Sequence, residues 1–156
     1  MSYWIYVTNS DNWAVTKKTN ILGASAKHKK MLSRVKKGDE CLVYMKGQII
    51  ADETIEPKIV AQYKIASTVF EDSKKMFITP PNAPHETFPL RLQLEPSIIF
   101  EPPIEFKPLI KRLSFLPNKT YWTGPIRGRA MVQIPQSDFN RIISRAKKKA
   151  DMSQEN

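Results

Sequence analysis

Between Asn20 and Lys46 the chain reads NILGASAKHKKMLSRVKKGDECLVYMK, an order that confines what it can fold into: a tight turn, a very basic helix, a Gly-Asp turn and a buried strand. His28, Met31, Leu32 and Val35 recur at helical spacing, so one face of the segment must pack on a core. The opposite face carries Lys27, Lys29, Lys30, Arg34, Lys36 and Lys37 without a single carboxylate. Positive charge concentrated on so short an element attracts polyanions. Ser25 is placed to cap this helix, Gly38 to close it in the left-handed conformation, and Asp39 to bond amides of the turn.

Tyr3 to Thr8 (YWIYVT) is aromatic and β-branched, as a strand buried on both faces requires. Asn9-Ser10-Asp11-Asn12 breaks it and starts a short helix or loop carrying Trp13, a core plug or a pocket wall. Gly47 to Pro57 reads as a connecting excursion. Lys58 to Val69 alternates as a long central strand with Ile59, Ala61, Tyr63 and Ile65 on one side. Glu71 to Pro89 is a proline-punctuated loop, and a loop of that length in a compact domain is often functional. Phe88 to Leu94 alternates as a strand, Ile104 to Leu113 has a helical pattern, Tyr121 to Arg129 is a second loop, and Ala130 to Ile134 closes the sheet. A last helix from about Gln136 turns Phe139, Ile142, Ile143 and Ala146 inward.

At 156 residues the chain suits one α+β domain over residues 1–150, with a flexible tail at 151–156. The formal charge of +10 and pI near 9.7 favour nucleic acid as partner. The one cysteine, Cys41, sits in an apolar run and reads as a small buried hydrophobe. No window approaches the roughly 18 apolar residues of a membrane span, so a soluble, cytoplasmic protein is expected.

Enzyme signatures are absent from the sequence. His28 and His85 are the only histidines and lie at no zinc-like spacing, there is no Gly-x-Ser-x-Gly elbow and no phosphate loop, so neither metal nor cofactor is expected. Base recognition needs flat apolar surfaces, polar groups for base edges and cations for phosphates. Tyr121 and Trp122 with Arg127 and Arg129 supply stacking faces and guanidinium groups on one loop, and Asn9 offers an amide that both donates and accepts.

Tyr3-Trp4-Ile5, Gly23-Ala24-Ser25, Val35-Lys36-Lys37-Gly38-Asp39, Leu42-Val43-Tyr44, Ile59-Val60-Ala61 and Arg129-Ala130-Met131-Val132-Gln133, in this order and spacing, resemble the EVE domain. That family belongs to the PUA-like superfamily and is related to the YTH domain. The resemblance spans nearly the whole chain and implies a PUA-like curved mixed sheet or β-barrel with surrounding helices. It implies a non-enzymatic reader that holds an extruded, modified base of RNA or DNA in a pocket. Many relatives carry a tryptophan before the glycine of the turn, where this chain has Leu22; Trp13, Trp122 or Phe77 are candidates to compensate. The expected site comprises Asn9 and Ser25 at base edges, Trp13, Trp122 or Tyr121 as stacking faces, Gly23, Ala24 and His28 around the pocket, and Lys27, Lys30, Arg127 and Arg129 on phosphates. Three alternatives stay open: an RNA-binding accessory domain indifferent to sequence, an enzyme acting on a nucleotide-like ligand through His28 and Asp39, and a structural or partner-binding role, since a basic face also binds acidic proteins. Oligomeric state is not legible.

Overall fold

Strand β1 (Tyr3–Thr8) sends alternate side chains to opposite faces, and both faces are covered: Trp4 and Tyr6 enter one hydrophobic cluster, Ile5 the other. The structure, a computed structural model, describes residues 1–154, with side chains through Ala146. After β1 come α1 (Ser10–Thr19), β2 (Ile21–Ala24), a 3-10 turn (Ala26–His28), α2 (Lys29–Leu32) and β3 (Glu40–Met45). Then follow β4 (Gln48–Ile50), β5 (Glu53–Ile55), β6 (Lys58–Ile65), β7 (Phe70–Glu71) and β8 (Leu90–Glu105). A 3-10 segment (Lys107–Arg112), β9 (Met131–Ile134) and α3 (Gln136–Gln154) complete the chain. Of the tail expected at 151–156, the first four residues continue α3, and Glu155 and Asn156 lie outside the described residues.

The main sheet runs β2-β8-β6-β3-β1-β9, with β7 on β8. Among the described residues only β1 and β3 pair in parallel, and the other pairings are antiparallel. Although β1 and β2 stand far apart in this order, Tyr6 Oη donates to the Gly23 carbonyl at 2.9 Å. The sheet must therefore curl until its ends nearly meet, which makes it the half-barrel expected of the PUA-like fold. Leu22, Leu32, Val35, Cys41, Val43 and Tyr63 fill the inside. Leu42, Tyr44, Ile59, Phe106 and Leu113 form the outer core with Phe139 and Ile142 of α3. Asp138 of α3 accepts from the backbone of Ser114 and Phe115 at 2.9 and 2.8 Å, which pins the helix to the segment it covers.

Several expectations need correction. The basic helix stops at Leu32, because the Arg34 and Val35 amides fold back to the Met31 and Leu32 carbonyls, three residues earlier, and the buried Asp39 carboxylate takes the Lys36 amide at 2.9 Å. Gly38 does adopt the left-handed conformation, at φ 94°. The tight turn before that helix contains β2, and the excursion from Gly47 is the β4–β5 hairpin. Its turn residues Ala51 and Asp52 take positive φ without a glycine to announce them. Strand β6 ends at Ile65, and an irregularity between Ile59 and Ala61 puts Ile59 in the outer core while Ala61, Tyr63 and Ile65 face inside. Strand β8 runs on past its prolines to Glu105, which leaves a 3-10 segment where a longer helical pattern was expected.

Candidate functional site

Asn9 ends β1 and caps α1, its Oδ1 accepting from the Asn12 amide at 2.9 Å, so the strand breaks where its sequence says it should. Around this junction, β2, the turn at Ser25–His28, the loop at 72–89 and the segment before β9 enclose a cavity of about 270 Å³. Its base is the buried Tyr6, whose phenol is raised above its ordinary pKa by burial and therefore stays a neutral donor to Gly23. Asn12, also buried, exchanges two hydrogen bonds with the Ile78 backbone: its Oδ1 accepts at 2.7 Å and its Nδ2 donates at 3.4 Å. The long loop is thereby tied to α1 over the cavity.

Phe88 forms an apolar wall, with φ at 50°, a left-handed conformation costing a non-glycine residue about 1 kcal/mol or more. Glu86 and Arg91 hold it there. Glu86 accepts from the Phe88 amide at 2.9 Å and from Ser25 Oγ, while Arg91 Nε donates to the Phe88 carbonyl at 3.2 Å. Arg91 is 1% exposed; it also donates to the Lys74 and Thr87 carbonyls, pairs with Asp72 at 3.4 Å and lies over the Phe77 ring. One buried cation thus fastens the loop at both ends. Phe77 presses on Gly23, where a Cβ would stand 2.4 Å from Cε2 of the ring, so only glycine fits.

Lys27, Lys46 and Arg129 rim the cavity, exposed and, among the described residues, without an ion-pair partner. His28 is half-buried beside them, and burial, reinforced by the Lys27 charge and opposed by Glu86, lowers its pKa. The site can therefore take a flat group with polar edges against Phe88 while cations receive an anionic chain attached to it. Among the described residues no cluster of three or more His, Cys, Asp or Glu is arranged to hold a metal. Cys41 is buried, and burial pushes its thiol up to about 12.

Of the residues singled out from the sequence, Asn9, Gly23, Ser25, Lys27, His28 and Arg129 meet at this cavity. Six others do not line it. Trp13 packs edge-on to Tyr63 against the inner core, where Ala24 is also buried; Leu22 points into that core too, so the position before Gly23 is no cavity wall. Lys30 is exposed on α2, and Tyr121 is 75% exposed. Trp122 lies against Phe106 and, with Arg127, lines a separate cavity of about 730 Å³. Of the aromatics proposed to compensate for Leu22, Phe77 stands nearest, against Gly23 and edge-on to Phe88. Tyr6, Asn12, Lys46, Phe88 and Arg91 were not legible as site residues. His28 and Asp39 do not form a catalytic pair: both Asp39 oxygens are taken by the Ser2 amide, the Lys36 amide and Trp4 Nε1, each at 2.9 Å.

The EVE domain family model matches residues 2–145. A UPF0310 protein of Pyrococcus abyssi is 41% identical over 92% of this chain and 99% of its own length, and one of Pyrococcus horikoshii is 40% identical over 91% and 97%. Among solved structures, human THYN1 in complex with 5-methylcytosine containing DNA superposes with a TM-score of 0.59 at 13% identity, covering 94% of this chain and 98% of that one. The YTH domain of Mmi1 also superposes at 0.59, with 12% identity over 97% and 90%. At these identities the likeness is one of fold.

Proposed function

This chain belongs to the EVE domain family, and from that premise we propose that it binds nucleic acid without acting on it chemically, accepting one extruded and modified base in the cavity beside Tyr6, Gly23 and Phe88. The observation that carries this reading is the join of a cavity that has an aromatic wall, Phe88, and polar side chains to a cationic rim. At about 270 Å³ the space is smaller than the roughly 300 Å³ at which pockets for drug-sized ligands begin, and it suits one ring system rather than two. The complex of human THYN1, a protein of the same fold, with 5-methylcytosine containing DNA supports the ligand class. Phe88 is the stacking wall, Asn9 Nδ2 and Ser25 Oγ reach base edges, and Lys27, Lys46 and Arg129 take phosphates.

A methyl group in a fitted apolar space is worth about 1–3 kcal/mol, so methyl discrimination of roughly tenfold or more is expected. Fluorescence anisotropy with single-stranded DNA and RNA oligomers, carrying unmodified or methylated cytosine or adenine at two salt concentrations, measures it. The expected result is a tenfold or greater preference for one modified strand, lost in Phe88→Ala. Equal, salt-sensitive binding to every strand would refute base reading and leave a basic surface indifferent to sequence.

A further inference from the structure

The larger cavity neighbours the smaller one: Val7, Lys46, Gly128 and Arg129 line both. Its wall carries Trp122, tilted 41° on Phe106 with ring centroids 5.6 Å apart, so packing fixes the indole while leaving it half-exposed. Four cations face the space, Lys46, Lys107, Arg127 and Arg129, against the single carboxylate of Glu56. That carboxylate is engaged by Lys107 at 2.6 Å, which leaves the other three free of ion pairs among the described residues. The β4–β5 hairpin forms the far side, presenting Ile49 at 77% exposure.

A pre-set aromatic face, an apolar surface and three uncompensated cations, bordering a base-sized cavity through four shared residues, match what a second nucleotide of the same strand requires. We propose that this groove is a subsite for the nucleotide adjoining the extruded base, with Trp122 stacking its base and Arg127 contacting its phosphate. Arg129, which borders both spaces, takes the phosphate that links the two nucleotides. The inference rests on the base-cavity reading above. It moves Trp122 from the modified base to its neighbour, so the groove supplies affinity and neighbour preference, not recognition of the modification.

The test compares 5-methyldeoxycytidine monophosphate with a single-stranded trideoxynucleotide bearing that nucleotide at its centre, each titrated against the full chain by NMR. The trinucleotide is expected to bind tighter by roughly 5- to 150-fold, the range that stacking one base supplies. Trp122→Ala removes most of that increment, and Arg127→Glu, a substitution at an exposed position, lowers it and supplies the test if Trp122→Ala does not fold. The ratio of the two affinities is the readout. An increment that survives Arg127→Glu and every folded Trp122 variant overturns the groove alone. Absence of binding by both probes overturns 5-methylcytosine as the base taken by the cavity, and this inference with it.

Discussion

Replacing Gly23 by alanine tests whether the cavity wall is as tightly set as its geometry indicates. The added Cβ would stand 2.4 Å from Phe77 Cε2 and 2.9 Å from Cδ2, whereas carbon atoms settle at about 3.5–4.0 Å, so the ring must retreat by roughly 1 Å. It has little room. Phe77 is 2% exposed, stands edge-on to Phe88 at 5.9 Å between centroids, and carries the Arg91 guanidinium 5.6 Å from its ring centre. Overpacking of this kind costs about 1–3 kcal/mol, and in a domain of this size each kcal/mol lowers Tm by about 2–4 °C. The expected loss is therefore roughly 2–12 °C by thermal melting followed by circular dichroism. Since the displaced ring abuts Phe88, affinity for a modified base falls as well. Phe77→Leu removes the obstructing ring, so Gly23→Ala should cost little on that background. A Gly23→Ala protein melting within about 1 °C of the parent, or a loss that persists undiminished with Phe77→Leu, would refute the steric argument.

Arg91→Met should cost about 3 kcal/mol in urea denaturation by freeing backbone carbonyls of the 72–89 loop, speed proteolysis within that loop and reduce the preference for a modified base. Asp39→Asn should cost about 2–4 kcal/mol, since the amide cannot accept from all three donors that the carboxylate serves. Burial by itself would raise the Asp39 pKa, but the Ser2, Lys36 and Trp4 hydrogen bonds and the nearby N-terminal charge outweigh it and hold the group below its ordinary value. Its contribution is thus fully present above the unfolded-state pKa and is lost as pH falls through the folded one, so the difference in Tm between parent and variant should close only in acid. Protonation of His28, displaced below the usual histidine range, adds charge to the cavity rim. Affinity for a phosphate-bearing strand should rise as pH falls through that range, and a rise unchanged in His28→Gln would exclude His28 as the source.

Much of the framework is local and therefore legible in one dimension. The density of aromatic and β-branched residues at Tyr3–Thr8, the Asn-rich break after it, the apolar run at Cys41–Tyr44 and the inward residues Phe139 and Ile142 all state their own conformation and burial. Net charge favoured the class of partner proposed above, and the order of short motifs named the family. Half of the singled-out site residues also meet at the cavity, because they stand next to chain breaks and glycines that any sheet must place at its edges.

What the tertiary structure alone decided are the residues whose role depends on partners far along the chain. Arg91 alternates with leucines like any solvent-facing strand residue; it is buried because loop 72–89 folds over it and offers carbonyls to its guanidinium. Tyr6 looks like core until the curl of the sheet brings the Gly23 carbonyl to its hydroxyl. Trp13 and Trp122 are equal candidates on paper, yet one lies against the inner core and the other lines a groove, because α1 and the loop before β9 approach the sheet from different sides. Local sequence fixes β1, β3 and α3, the charge and the family; curling of the sheet fixes which side chains share a cavity, since contacts between residues distant in sequence arise from closure and not from local preference.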